Sequence, residues 1–214
     1  KQKGKEILKE LVRQSDVVIE NFGPAANRNL SLDYKSLKKI KSDIIVVAVS
    51  AYGQYGPYAS RSGFDGIAQA MSGLMWVTGF PQGLPVRLGV SFVDTAAGVY
   101  GALGTLLALY YRQKTGEGQL VDISLLDSAV SFMESTIAEY EVANEIHPQV
   151  GNAHTYVAPY DAYKAKDGYF YLGVSGKPMW QRFLKTMHRE ELASDPRLQT
   201  DHDRARPENR QFFT

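Results

Sequence analysis

Two β-branched runs with a helical stretch between them constrain this chain more than any other feature. Residues 16–20 read DVVIE and residues 43–50 read DIIVVAVS, each bounded by polar residues as a buried strand is. Between them Tyr34 to Lys41 reads as a helix. Strand, helix and strand within about thirty residues make a βαβ unit, which requires a parallel sheet. Such a sheet binds ligands at the carboxyl ends of its strands. Both ends run into loops rich in turn formers: NFGP after Glu20, and AYGQYGPY after Ser50. By themselves these residues fit a plain β-to-α turn, and tyrosines that either wall a ligand or cover the sheet edge.

The rest of the chain extends this plan. An amphipathic helix, Lys5 to Arg13, precedes the first strand, with Ile7, Leu8, Leu11 and Val12 on one side. Arg61 to Gly73 carries a helix, followed by a Gly/Pro loop (Gly79 to Pro85) and a short apolar strand. Asp94 then stands alone at the mouth of a small-residue helix that ends near Arg112–Lys114. An Asp there is a favoured N-cap. It is also a carboxylate that a helix N-terminus keeps ionised and oriented, and the two readings are compatible. A tight turn (TGEG, 115–118), a third strand (VDISL, 121–125) and one long helix (126–144) follow. Further on, Pro159–Tyr163 and Tyr169–Val174 read as a β-hairpin, Pro178–His188 as a helix, and 189–210 as solvated helical surface. The expected fold is α/β: a partial Rossmann-like parallel-sheet large domain (1–125), a helical linker (126–150) and the start of a smaller α+β domain (151–214).

Composition narrows the chemistry. The 214 residues carry a formal net charge of +1, which argues for neither nucleic acid nor an anionic membrane as partner. With no cysteine, disulfides, thiolate metal sites and a Cys nucleophile are excluded. The four histidines (147, 154, 188, 202) have no metal-ligand spacing, and His154, a lone loop histidine, reads as structural or exposed. GVSGK (173–177) is not a GxSxG nucleophile elbow, and no phosphate-binding glycine motif is present. The uncharged run from Thr95 to Tyr111 nears membrane-spanning length, but Gly98, Gly101 and Gly104 point to a tightly packed buried helix. No signal-peptide pattern is visible, so the expected location is the cytoplasm, or an organelle matrix in a eukaryote.

Three ordered segments carry a resemblance. GFDGIAQAMSGLM, TGFPQGLPVRLGVSFVDTAAGVYGALGTLLAL and RQKTGEGQLVDISLLDSAV are similar to the central block of the family III CoA-transferases, to which the 2-methylacyl-CoA racemases are related. The resemblance implies a catalytic nucleophile at Asp94. It implies contacts to coenzyme A from Asn21, Phe22, Gly23 and Arg28, from Tyr52, and from Arg61, Gly63, Phe64 and Asp65. It also implies a substrate loop at Gly151, Asn152 and Ala153. Departures are Ala25 after Pro24, Arg28 one place early with Asn29 in the family's Arg position, and Val150 in place of a glycine. The racemases' two proton acceptors are replaced by Phe64 and Lys177, so transferase is expected over racemase; a non-catalytic CoA-binding relative would have little reason to keep Asp94. The implied substrates are an acyl-CoA and small carboxylic acids, without metal or redox cofactor, in an interlocked homodimer. With no Met at the start and a helical pattern still running at the end, the sequence reads as a piece of a longer chain.

Overall fold

The computed structural model describes residues 2–213; Lys1 and Thr214, outer bounds of the two expected domains, lie outside the described residues. The chain forms two compact units, one running to Trp76 and including Arg87–Ile146, the other comprising Val77–Val86 and the residues from His147 onward.

In the first unit α1 (Gln2–Gln14) leads into β1 (Val17–Glu20), then α2 (Pro24–Leu30), α3 (Tyr34–Lys38) and β2 (Ile45–Ser50). After a long loop come α4 (Asp65–Met71) and α5 (Leu74–Thr78), which crosses the unit boundary. The long helix α6 (Phe92–Thr115), β3 (Leu120–Ser124), α7 (Leu125–Val130) and α8 (Glu134–Ala143) complete the unit. The sheet is parallel with order β1-β2-β3, as the βαβ pattern predicts. Its central strand is buried on both faces, which is why it reads as an unbroken apolar run. Ile44 and Val46 pack with Val12 of α1 and Leu37 of α3 on one side. Ile45 and Val47 pack with Ala108 of α6 on the other.

Two glycines set how closely α6 approaches the sheet. A Cβ on Gly101 would meet Val47 at 3.6 Å, and one on Gly104 would stand 2.6 Å from Cγ1 of Val121. Gly98, one turn earlier, faces open space. The small residues therefore serve backbone-to-sheet contact, but the helix is not buried all round as expected. Val93, Ala97 and Ala108 are covered, while Val99, Leu103, Leu106, Leu107 and Tyr110 are exposed. By length and composition α6 would suffice to cross a membrane.

Three further expectations are corrected. The helix at Asp94 begins two residues earlier, at Phe92, with Ser91 in the cap position, so Asp94 is not the N-cap. Residues 86–91 form no strand; the backbone N–H of Leu88 donates to Gln69 Oε1 (3.0 Å) instead of to a neighbouring strand. The single helix over 126–144 is two, because the chain turns at Ser131–Phe132. There Ser131 Oγ donates to the Ser128 carbonyl (2.7 Å) and Phe132 packs on Phe92, local contacts that compete with helix continuation.

In the second unit β4 (Tyr160–Lys164) and β5 (Tyr169–Gly173) form the expected antiparallel hairpin, and α9 (Lys177–Thr186) follows. The core is Val174, Trp180, Leu184 and Leu198. Residues 189–210 are not simply solvated surface. Leu198 is in the core, and Arg204, 1% exposed, donates to the carbonyls of Ala158 and Leu198, pairs with Asp201 and lies over the Trp180 ring.

Candidate active site

The carboxyl ends of β1 and β2 and the N-terminal ends of α4 and α6 bound a cleft of about 500 Å³. Asn21 follows β1, Ser50 and Ala51 close β2, Gly63 and Phe64 precede α4, and Asp94 and Gly98 lie one turn apart on α6. A second lobe of about 400 Å³ shares Asn21, Ser50, Ala51, Gly63 and Phe64 and runs on to Gly23, Pro24 and Arg61. The cleft is thus elongated, with Asp94 lining one lobe and Arg61 the other. Gly63 makes the junction possible, since a Cβ there would press to 2.8 Å on that of Ala51. Arg61 is held over the Tyr58 ring (4.1 Å), and Tyr58 meets Tyr52 edge-on at 5.6 Å.

Asp94 is the third residue of α6, with its side chain exposed on the open side of the cleft. Among the described residues its carboxylate takes no hydrogen bond or ion pair. Loss of water on the wall side, and then the negative charge of Asp65, push its pKa upward. The helix N–H groups expected to orient this carboxylate therefore do not bond it. The N–H groups of this helix end are used by a different carboxylate. Oδ1 of buried Asp65 accepts from Val93 N (2.8 Å) and Asp94 N (3.4 Å), while its Oδ2 accepts from Gln69 Nε2 (2.7 Å) and Arg87 (3.4 Å).

Of the residues implied by resemblance, Asn21, Gly23, Arg61, Gly63, Phe64 and Asp94 come together in the two lobes. Phe64 is 79% exposed and has no group that could move a proton. Phe22, Arg28, Tyr52 and Asp65 do not line the cleft. Arg28 sits in the last turn of α2. Gly151, Asn152 and Ala153 belong to the other unit, where Gly151 has φ +62° and donates its N–H to the Gly79 carbonyl (3.0 Å), and Tyr171 donates its hydroxyl to the Asn152 carbonyl (2.8 Å).

Several residues not anticipated support the site. Glu20 is buried at the end of β1, where its carboxylate accepts from Phe22 N (2.8 Å) and Asn27 Nδ2 (2.9 Å), tying down the NFG turn. Asp122 on β3 lies in the same row across the sheet, with Ala48 between, and accepts from Gln54 N of the tyrosine loop (2.9 Å). Burial raises the pKa of both carboxyl groups. An acid closing an apolar strand was the only sequence signal for Glu20. Gln69 and Arg87 gave none, because their partners are set by tertiary structure. Among the described residues no group of three His, Asp or Glu is arranged to hold a metal ion.

A sequence family described as CoA-transferase family III matches residues 1–212. Among curated relatives, the chain is 38% identical over 202 residues to succinyl-CoA–D-citramalate CoA-transferase of Chloroflexus aurantiacus, covering 94% of this chain and 50% of that protein. It is 37% identical over 199 residues to acetyl-CoA:oxalate CoA-transferase of Acetobacter aceti (92% and 51%). With human succinyl-CoA:glutarate CoA-transferase the identity is 36% over 200 residues (94% and 46%). The chain spans about half the length of these curated relatives. Among solved structures it is similar to a CAIB/BAIF family protein from Brucella suis, with TM-score 0.85 and 34% identity, covering 100% of this chain and 56% of that one. It is also similar to Rv3272 from Mycobacterium tuberculosis, with TM-score 0.86 and 25% identity (99% and 56%).

Proposed function

The chain belongs to CoA-transferase family III, and from that premise we propose that it moves coenzyme A from an acyl-CoA thioester to a small carboxylic acid through a covalent intermediate on Asp94. The observation that carries this reading is an unpartnered carboxylate at the strand ends, in a cleft where Gly98 leaves room beside it. The named relatives act on succinyl-CoA or acetyl-CoA and on di- or hydroxydicarboxylic acids, so we take such acids as the first substrates to test.

In this mechanism an Asp94 oxygen attacks the thioester carbonyl carbon, the C–S bond breaks, and a mixed anhydride and CoA thiolate result. The thiolate attacks the aspartyl carbonyl of the anhydride and releases the first acid as its carboxylate, leaving an aspartyl–CoA thioester. The incoming carboxylate repeats both steps in reverse and leaves as the new acyl-CoA, and Asp94 is regenerated. Covalent catalysis divides one difficult exchange into easier steps. The raised pKa of Asp94 suits a nucleophile, since a more basic carboxylate attacks more readily. Coenzyme A enters as the acyl-CoA substrate, held along the second lobe by Asn21, Gly23, Arg61, Gly63 and Phe64. We likewise propose Gly151, Asn152 and Ala153 as the substrate loop, residues 1–125 as part of the CoA-binding domain, and the cytoplasm or an organelle matrix as the location. A homodimer is proposed as the assembly, supported by the exposed apolar flank of α6.

Mass spectrometry of the intact protein after incubation with succinyl-CoA, acetyl-CoA and other acyl-CoAs tests the reading. A CoA adduct or a hydroxylamine-sensitive acyl group on Asp94, absent in Asp94→Ala, is expected. No adduct with any donor, while both proteins still bind CoA, sinks the assignment. Exchange of the α-proton in deuterated water would point instead to racemase chemistry, which Phe64 disfavours.

A further inference from the structure

Four hydrogen-bond donors converge on Asp65, and none of them is its own helix backbone. Val93 N and Asp94 N reach one carboxylate oxygen; Gln69 Nε2 and the Arg87 guanidinium reach the other. The orientation of the Gln69 amide is settled by Leu88, whose N–H donates to Gln69 Oε1 at 3.0 Å, so Nε2 faces Asp65. Only a group that accepts on both oxygens satisfies this arrangement, and among side chains that is a carboxylate. Asp65 and Gln69 are buried, so an unmatched donor would have no water to turn to. Ser91, in the cap position of α6, makes no side-chain capping bond. The first turn of α6 is therefore capped from another helix, by a residue 29 positions before Asp94 in the chain.

We propose that Asp65 is a positioning residue for the Asp94 nucleophile: it caps the turn from which Asp94 projects, links that turn to α4 and the Arg87 segment, and places a fixed negative charge beside the reacting carboxylate. The inference rests on Asp94 being the nucleophile. Asp65 does not line the cleft and needs no contact with substrate to act. Gln69 supports it from below, and Arg87 is turned toward it and the Val90 carbonyl. Among the described residues Asp65 is the charged neighbour that acts on Asp94, so its removal changes the titration of Asp94 in a known direction.

The test compares the intact protein with Asp65→Asn and Asp65→Glu, each checked for folding by circular dichroism. An amide at position 65 keeps the shape but sets its NH₂ against one pair of donors and removes the charge. For Asp65→Asn we expect kcat to fall by roughly 10- to 100-fold, as for a catalytic group displaced by a fraction of an ångström to about one ångström, with KM for acyl-CoA changed far less. The nucleophile must be ionised, so the rate falls as pH drops through its pKa. Without the neighbouring charge that acid limb moves to lower pH. Asp65→Glu keeps the charge and misplaces it, so kcat falls while the limb stays; it carries the comparison if the amide variant does not fold. Wild-type kcat and an unmoved acid limb in Asp65→Asn, or wild-type kcat in Asp65→Glu, with normal adduct formation on Asp94, would overturn this inference alone. Absence of any adduct in the unsubstituted protein would overturn the nucleophile reading and this inference together.

Discussion

Glu20 closes β1 with its carboxylate buried and accepting from Phe22 N and Asn27 Nδ2, while Oδ1 of Asn27 is buried without a partner. Burial raises its pKa, the Phe22 N–H lowers it, and the charge of Asp122 raises it again, for a net rise. A carboxyl group whose folded pKa exceeds its unfolded one stabilises the fold below the unfolded pKa, and that contribution is lost as pH rises through the folded pKa. Glu20→Gln removes this loss. Its carbonyl can accept from Phe22 N while its NH₂ donates to a reoriented Asn27, satisfying the orphaned oxygen. The urea midpoint of Glu20→Gln is therefore expected to gain on that of the parent as pH rises above the ordinary carboxylate range. A difference that stays constant with pH would show that Glu20 does not titrate differently in the two states. At the same scale the unpaired Asp94 and the fully paired Asp65 divide two carboxylates between reaction and support.

At the scale of elements, α6 joins the sheet to the site. Its glycines look alike in sequence but meet different surroundings. Gly101 has room for a methyl group at ordinary contact distance, so Gly101→Ala should gain up to about 1 kcal/mol from helix propensity. At Gly104 the methyl would collide with Val121, and overpacking of about 1–3 kcal/mol should outweigh that gain. Urea unfolding of the two variants is expected to give shifts of opposite sign; shifts of the same sign would mean that α6 does not rest on β3 through Gly104. The break between α7 and α8 belongs to this scale as well. Its cause is a hydroxyl bond and an aromatic contact that hydrophobic periodicity does not register.

For the molecule as a whole, the exposed apolar flank of α6 is the feature that calls for a partner surface. Leu106 is 65% exposed, with Val99, Leu103, Leu107 and Tyr110 nearby on the same helix. Apolar surface on this scale marks an interaction face. Light scattering of the intact protein is expected to give the mass of a dimer, and Leu106→Glu to shift it toward monomer while circular dichroism stays unchanged. A dimer indifferent to this substitution would place the interface elsewhere.

The parallel sheet, its three strands, the hairpin of the second unit and Asp94 at the start of a helix were legible in the sequence, because burial on both faces and turn chemistry leave local patterns in residue type. Family membership was legible too, since whole motifs keep their order. Tertiary structure alone decided that Asp65 rather than Ser91 or Asp94 caps α6, that Gly98 opens onto the cleft while Gly104 presses on Val121, and that Glu20 and Asp122 stand in one row. Those facts depend on pairs of residues far apart in the chain. A hydrogen bond or a steric contact between them appears only when the backbone brings donor and acceptor, or methyl and methyl, within a few ångströms.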